Sequence, residues 1–166
     1  MKRLLLGMSM VAAAGFSVMG ADHSVKSTGN GTPAKAAEHA AWYTDASQAL
    51  AKAKETKLPI LLVISGSDWC PPCMALEKNV LSNKKFQKFA EGKLILLQAD
   101  FPRRKKQSEA VAKQAKAIKA KYAPNDGFPT VVVISPDDKV LGKQVGYSSQ
   151  MDAEKYIELL KGLMKK

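Results

Sequence analysis

The stretch on which the reading of this chain turns is Leu58-Pro59-Ile60-Leu61-Leu62-Val63-Ile64-Ser65-Gly66-Ser67-Asp68-Trp69-Cys70-Pro71-Pro72-Cys73. Its first half, Leu58 to Ile64, is a continuous apolar run with a β-branched end. Bounded by polar sequence, such a run reads as a strand buried on both faces, central in a sheet. Gly66, Ser67 and Asp68 then turn the chain, and a helix is expected to follow. Cys70 and Cys73 stand three apart, and residues at i and i+3 share one side of a helix. A disulfide needs Cα atoms about 4.4–6.8 Å apart, which that spacing supplies.

These are the only two cysteines among 166 residues. A chain of that length buries a sizeable core without disulfide staples. Closing so short a loop also removes little entropy from the unfolded state. The pair therefore points to chemistry. At a helix start the dipole and free N–H groups favour a thiolate. Cys70 is then expected to be the nucleophile that forms a mixed disulfide, and Cys73 the thiol that resolves it. A zinc half-site would need two further ligands, and no other cysteine exists. Copper held by the two thiols, as in a metallochaperone, stays open as an alternative. No cofactor and no metal is expected.

Working outward, Asp45 is placed to cap a helix running to about Glu55, with Ala46, Ala49, Leu50 and Ala53 at helical spacing. After the cysteines, Met74, Leu76, Val80, Leu81, Phe86 and Phe89 are expected on the inner side of a helix. Lys93 to Ala99 reads as a second buried strand. Arg103 to Lys121 is a long basic stretch, expected as an extended helix with Val111, Ala115, Ile118 and Tyr122 on one stripe. Eight Lys or Arg side chains occupy its remainder, either as a solvated surface or as an anion-binding, docking face. Val131 to Ser135 and Val140 to Val145 read as hairpin strands around a turn at Pro136–Lys139. Gly146 ends the second, and Ser148 or Ser149 is expected to cap a last helix carrying Ala153, Tyr156, Ile157, Leu160 and Leu163 inward. That order of elements suits an α/β fold, a mixed sheet covered on both faces.

Trp69-Cys70-Pro71-Pro72-Cys73 after an apolar strand resembles the active site of the thioredoxin family. Phe128-Pro129-Thr130 ahead of a strand resembles that family's cis-proline loop, and Gly146 matches a family glycine. The resemblance covers roughly residues 42–166. It implies a thioredoxin fold and thiol–disulfide oxidoreductase activity on protein substrates. It also implies a cis Pro129 facing the disulfide, with Phe128 offering backbone groups to an extended substrate. Trp69 would shield the thiols, or simply pack. One departure stands out: Ile64 occupies the position of the family's buried acidic residue, which helps move the proton of the second thiol. Glu77, one turn beyond Cys73, is the nearest substitute in sequence, or a solvated glutamate. Neither Pro71 nor Pro72 has an N–H to donate to the Cys70 sulfur. Less support for the thiolate points away from a strong oxidant and towards a reductase or isomerase.

The ends and the charge place this chemistry. Lys2 and Arg3 precede an apolar run from Leu4 to Met19, which reads as a signal peptide over residues 1–20 cleaved near Gly20, or as a retained membrane anchor. Residues 21–40 read as a flexible polar leader carrying His23 and His39, and 41–166 as the folded domain. The expected location is therefore extracytoplasmic, as in a periplasm, with a membrane-bound electron donor as a possible partner. Formal charge is +11. Export disfavours nucleic acid as a partner, and a monomer is expected. Two other classes stay open: a non-catalytic binding module on the same fold, and a basic surface-binding protein with an incidental cysteine pair.

Overall fold

The computed structural model describes residues 41–165. The signal-peptide and leader readings, with His23 and His39, lie outside the described residues.

Five strands form one sheet: β1 (Trp42–Tyr43), β2 (Ile60–Ser65), β3 (Ile95–Asp100), β4 (Thr130–Ile134) and β5 (Val140–Val145). Their order is β1-β3-β2-β4-β5. β3 runs parallel to both β1 and β2, whereas β4 is antiparallel to β2 and to β5. β2 is thus central, and all six of its residues are buried. The unbroken apolar pattern reflects that position, because both faces of the strand are covered.

Alternation along β2 feeds two cores. Ile60, Leu62 and Ile64 pack with Ile95, Leu97, Ala115, Ile118 and Tyr122 under α1 (Ala46–Thr56) and α4 (Glu109–Tyr122). Leu61 and Val63 pack on the other face with Leu76, Val80, Phe86, Tyr156 and Leu160, from α2 (Pro71–Leu76), a π-helical turn (Glu77–Leu81), α3 (Lys84–Ala90) and α5 (Ala153–Met164). This is a thioredoxin-like fold, with helices on both faces of a mixed sheet.

Asp45 caps α1 as expected, accepting from the N–H groups of Ser47 and Gln48 at 2.7 and 3.1 Å. Four expectations are corrected. The segment after Cys73 is not one helix: the π-helical turn ends it, and Asn83 caps a restart at Lys84. Met74 does not face inward but is 43% exposed, because Cys73 and Leu76 take the buried side. The helix in the basic stretch starts only at Glu109, where Ser108 caps it, so residues 103–108 form a loop. The last helix is capped by Asp152, not by a serine.

Candidate active site

β2 delivers the chain to the site. Beyond Ser65, the N–H of Cys70 donates back to the carbonyl of Gly66 at 3.1 Å, closing a tight turn. Cys70 is the extended residue preceding α2, and Pro71 and Pro72 open that helix. The prolines need no hydrogen-bond acceptor there, since the first N–H groups of a helix lack intrahelical partners anyway. Cys70 and Cys73 are joined by a disulfide with Cα atoms 5.2 Å apart. Each cysteine is only 4% exposed, so an exchange partner meets a narrow opening.

Register brings the second loop alongside. Ile64 on β2 pairs with Thr130 on β4, so Pro129 lies beside the end of β2 from which the cysteine turn departs. The Phe128–Pro129 peptide bond is cis, and Pro129 is buried. Its carbonyl accepts from the N–H of Gly146 at 2.7 Å, where Gly146 adopts φ +76°. That conformation favours glycine.

Trp69 joins the two loops. Its ring stands edge-on to Phe128, with centroids 5.4 Å apart, and Phe128 makes a second edge contact with Phe101 at 5.4 Å. The indole Nε1–H donates to the Phe101 carbonyl at 2.7 Å. Gly66 lies beneath the indole: a Cβ there would come within 2.4 Å of the Trp69 ring. No side chain fits at that distance, so the glycine is what lets the tryptophan lie down. Of the sequence-derived site residues, Trp69 and Phe128 touch, Cys70 and Cys73 are bonded, and Pro129 adjoins through the sheet.

The structure adds residues that sequence reasoning missed. Asp68 accepts three consecutive backbone N–H groups, from Arg103, Arg104 and Lys105, at 2.9, 2.8 and 2.8 Å. The Arg103 guanidinium then lies over the Trp69 ring, 3.7 Å from its centroid. Those N–H bonds, Arg103's foremost, hold the Asp68 carboxyl below the usual carboxylate range. Lys119 was expected on a basic helix face. Its Nζ instead donates to the carbonyls of Ala123, Pro124 and Asp126, at 3.0, 3.4 and 2.9 Å. It thereby ties the end of α4 to the loop that carries Phe128.

Ile64, at the position of the family's acid, is fully buried among apolar neighbours. Asp100, opposite Ser65 in the sheet register, is engaged by the Ser67 N–H at 2.9 Å and the Ser67 hydroxyl at 2.6 Å. Glu77 does share a cavity of about 460 Å³ with Cys73, lined also by Ser65, Ser67 and Gln98. Its Oε1 accepts from the Ser82 hydroxyl at 2.8 Å. Among the described residues, no three His, Cys, Asp or Glu side chains gather closely enough to hold a metal ion.

Known proteins resemble this chain. A family model described as thioredoxin-like matches residues 41–136. The thioredoxin-related protein DsbJ of Chlamydia pneumoniae is 35% identical over 98 residues, covering 59% of this chain and 28% of that protein. The disulfide bond reductase DsbH of the same organism is 33% identical over 96 residues, covering 58% of this chain and 57% of that one. The chain thus spans less than two thirds of either relative. A solved DsbH oxidoreductase superposes with a TM-score of 0.68 at 27% identity, covering 83% of this chain and 95% of that one. A family match over more than half of the sequence, on a fold that superposes with a solved oxidoreductase, makes this chain a member of the thioredoxin-like family.

Proposed function

We propose that this protein exchanges thiols and disulfides with exported protein substrates, acting in the reducing or isomerising direction. The observation that carries the reading is the Cys70–Cys73 disulfide at the start of α2, beside the cis-proline loop. In the reduced protein, the Cys70 thiolate attacks one sulfur of a substrate disulfide. A mixed disulfide forms and one substrate thiolate leaves, taking up a proton. The Cys73 thiolate then attacks the Cys70 sulfur, which releases the second substrate thiol and regenerates the internal disulfide. Two electrons pass to the substrate, and a donor must return them. A membrane-bound donor outside the cytoplasm fits the proposed export signal.

The remaining roles follow from placement. Phe128 offers backbone groups to an extended substrate segment, Pro129 shapes that edge, and Trp69 screens the sulfurs from water. Glu77, which lines a cavity together with Cys73, is the carboxylate we assign to exchange a proton with that thiol. Direction is supported by two features. Pro71 and Pro72 at the first two helical positions offer no N–H to the Cys70 sulfur, which withholds stabilisation that an oxidising enzyme uses. The relative DsbH is itself named a disulfide bond reductase.

Insulin reduction with dithiothreitol as electron source tests the chemistry. Cys70→Ser should abolish catalysis above the uncatalysed rate. Cys73→Ser should accumulate a mixed disulfide through Cys70, visible as a mass adduct that excess thiol removes. A Cys70→Ser variant that still accelerates reduction would contradict the assignment.

A further inference from the structure

The described part of the molecule carries one strongly charged feature that the exchange chemistry does not use. Arg103, Arg104, Lys105 and Lys106 are consecutive, and all four are exposed. Among the described residues, none of their side chains is in an ion pair, whereas Lys52, Lys85, Lys121, Lys143 and Lys161 each have a carboxylate partner. Asp68, the acid that holds this loop, spends its oxygens on the loop's backbone N–H groups. That leaves the loop a net excess of about three positive charges by formal counting.

Four free cations on a loose loop would signify little. This loop is held in place. Asp68, two residues before Cys70, fixes its backbone by three hydrogen bonds at 2.8–2.9 Å. Arg103 stacks on Trp69, and the Phe101 carbonyl receives the indole N–H. The same residues that build the cysteine turn therefore carry the basic loop on their outer edge. Charges carried on a fixed backbone lose less conformational entropy on binding than charges on a mobile loop. It also creates a local potential that speeds capture of an opposite charge. The sulfurs lie behind 4% exposed cysteines, so productive encounters depend on orientation, which such a potential supplies.

We propose that residues 103–106 form a docking lip for protein segments carrying Asp or Glu close to the disulfide being exchanged. This rests on the exchange reading above and names its substrate class. An extended chain advances about 3.3–3.6 Å per residue. Acidic residues a few positions from a substrate cysteine therefore reach the lip while that cysteine meets Cys70.

The test uses the full chain and an Arg104→Gln, Lys105→Gln, Lys106→Gln triple variant. Arg103 is kept because it packs on Trp69. Three substrates are compared at low ionic strength: a disulfide peptide flanked by glutamates, the same peptide flanked by lysines, and uncharged hydroxyethyl disulfide. The triple variant should lose on the order of tenfold or more in kcat/KM on the acidic peptide, chiefly through KM. It should keep its rate on hydroxyethyl disulfide. The loss should shrink in 0.5 M salt, which is above the range where surface charges act over about 8 Å. An equal loss on both peptides, or none on the acidic one, overturns the lip. Binding of the wild type to anionic phosphatidylglycerol vesicles that the variant loses, with peptide kinetics unchanged, would also overturn it and assign the charges to a membrane. If the wild type reduces none of the three substrates, the exchange reading fails, and the lip falls with it.

Discussion

Asp68 shows what a single side chain contributes here. In the sequence it is only a turn former between Ser67 and Trp69. In the fold its carboxylate is a hub for three backbone donors of a loop 35 to 37 residues away. No local pattern signals a contact at that separation, so the residue was invisible to sequence reasoning. Its lowered pKa gives a pH signature. A group whose folded pKa is depressed contributes its full stabilisation above the unfolded carboxyl value, about 3.9. That contribution disappears as pH falls through the lower folded value. Trp69 fluorescence should therefore be flat from neutral pH to about pH 5 and change as the loop is released below about pH 4. Asp68→Asn should show the released signal already at neutral pH. A flat acid titration in the wild type would contradict the clamp. Gly66 makes a complementary case. Gly66→Ala should cost about 1–3 kcal/mol in urea unfolding, the usual range for overpacking, because the methyl would overlap a rigid ring. A variant as stable as the wild type, with unchanged tryptophan emission, would show that the indole has room to move.

Elements were legible in proportion to how far their pattern repeats. The run Leu58–Ile64 identified β2 because a central strand has no solvent face to alternate with. The stripe Val111, Ala115, Ile118, Tyr122 identified α4, and β5 has the expected limits. Failures fell where competition between hydrogen-bond partners decides. Residues 103–108 are rich in helix formers, yet Asp68 takes three of their N–H groups and Ser108 caps the true start. β1 has two residues, too few to show a period. Lys119 read as one cation on a solvated face, whereas it serves three carbonyls at the end of α4. Lys119→Met keeps the stem and removes those donors. It should lower stability by about 1.5–3 kcal/mol, the range for hydrogen bonds to a charged group. It should also raise KM for insulin, because the loop it secures carries Phe128. Thermal and urea unfolding beside insulin kinetics would check both parts. Unchanged stability would mean that water replaces the ammonium without loss.

At the scale of the whole molecule, the fold gathers the cysteine pair and its neighbours at one end of the sheet. There the parallel pair β2–β3 ends and the antiparallel β4 begins. Three loops meet at that end: the cysteine turn, the basic loop and the cis-proline loop. Trp69 lies between them, touching Phe128 from one loop and Arg103 from another. The cysteine pair was legible as a short local motif, and the proline loop through its resemblance to the thioredoxin family's. The basic loop's attachment was not, since only the sheet brings Asp68 to Arg103. As proposed above, Cys70 and Cys73 form a reversible couple poised on the reducing side. Equilibration of the purified protein with graded dithiothreitol or glutathione buffers measures that couple directly. Two prolines that withhold N–H groups from the Cys70 sulfur predict a reduction potential near or below about −230 mV. A value above about −180 mV would make the protein an oxidant, and no reversible couple at all would leave the cysteine pair without a redox role.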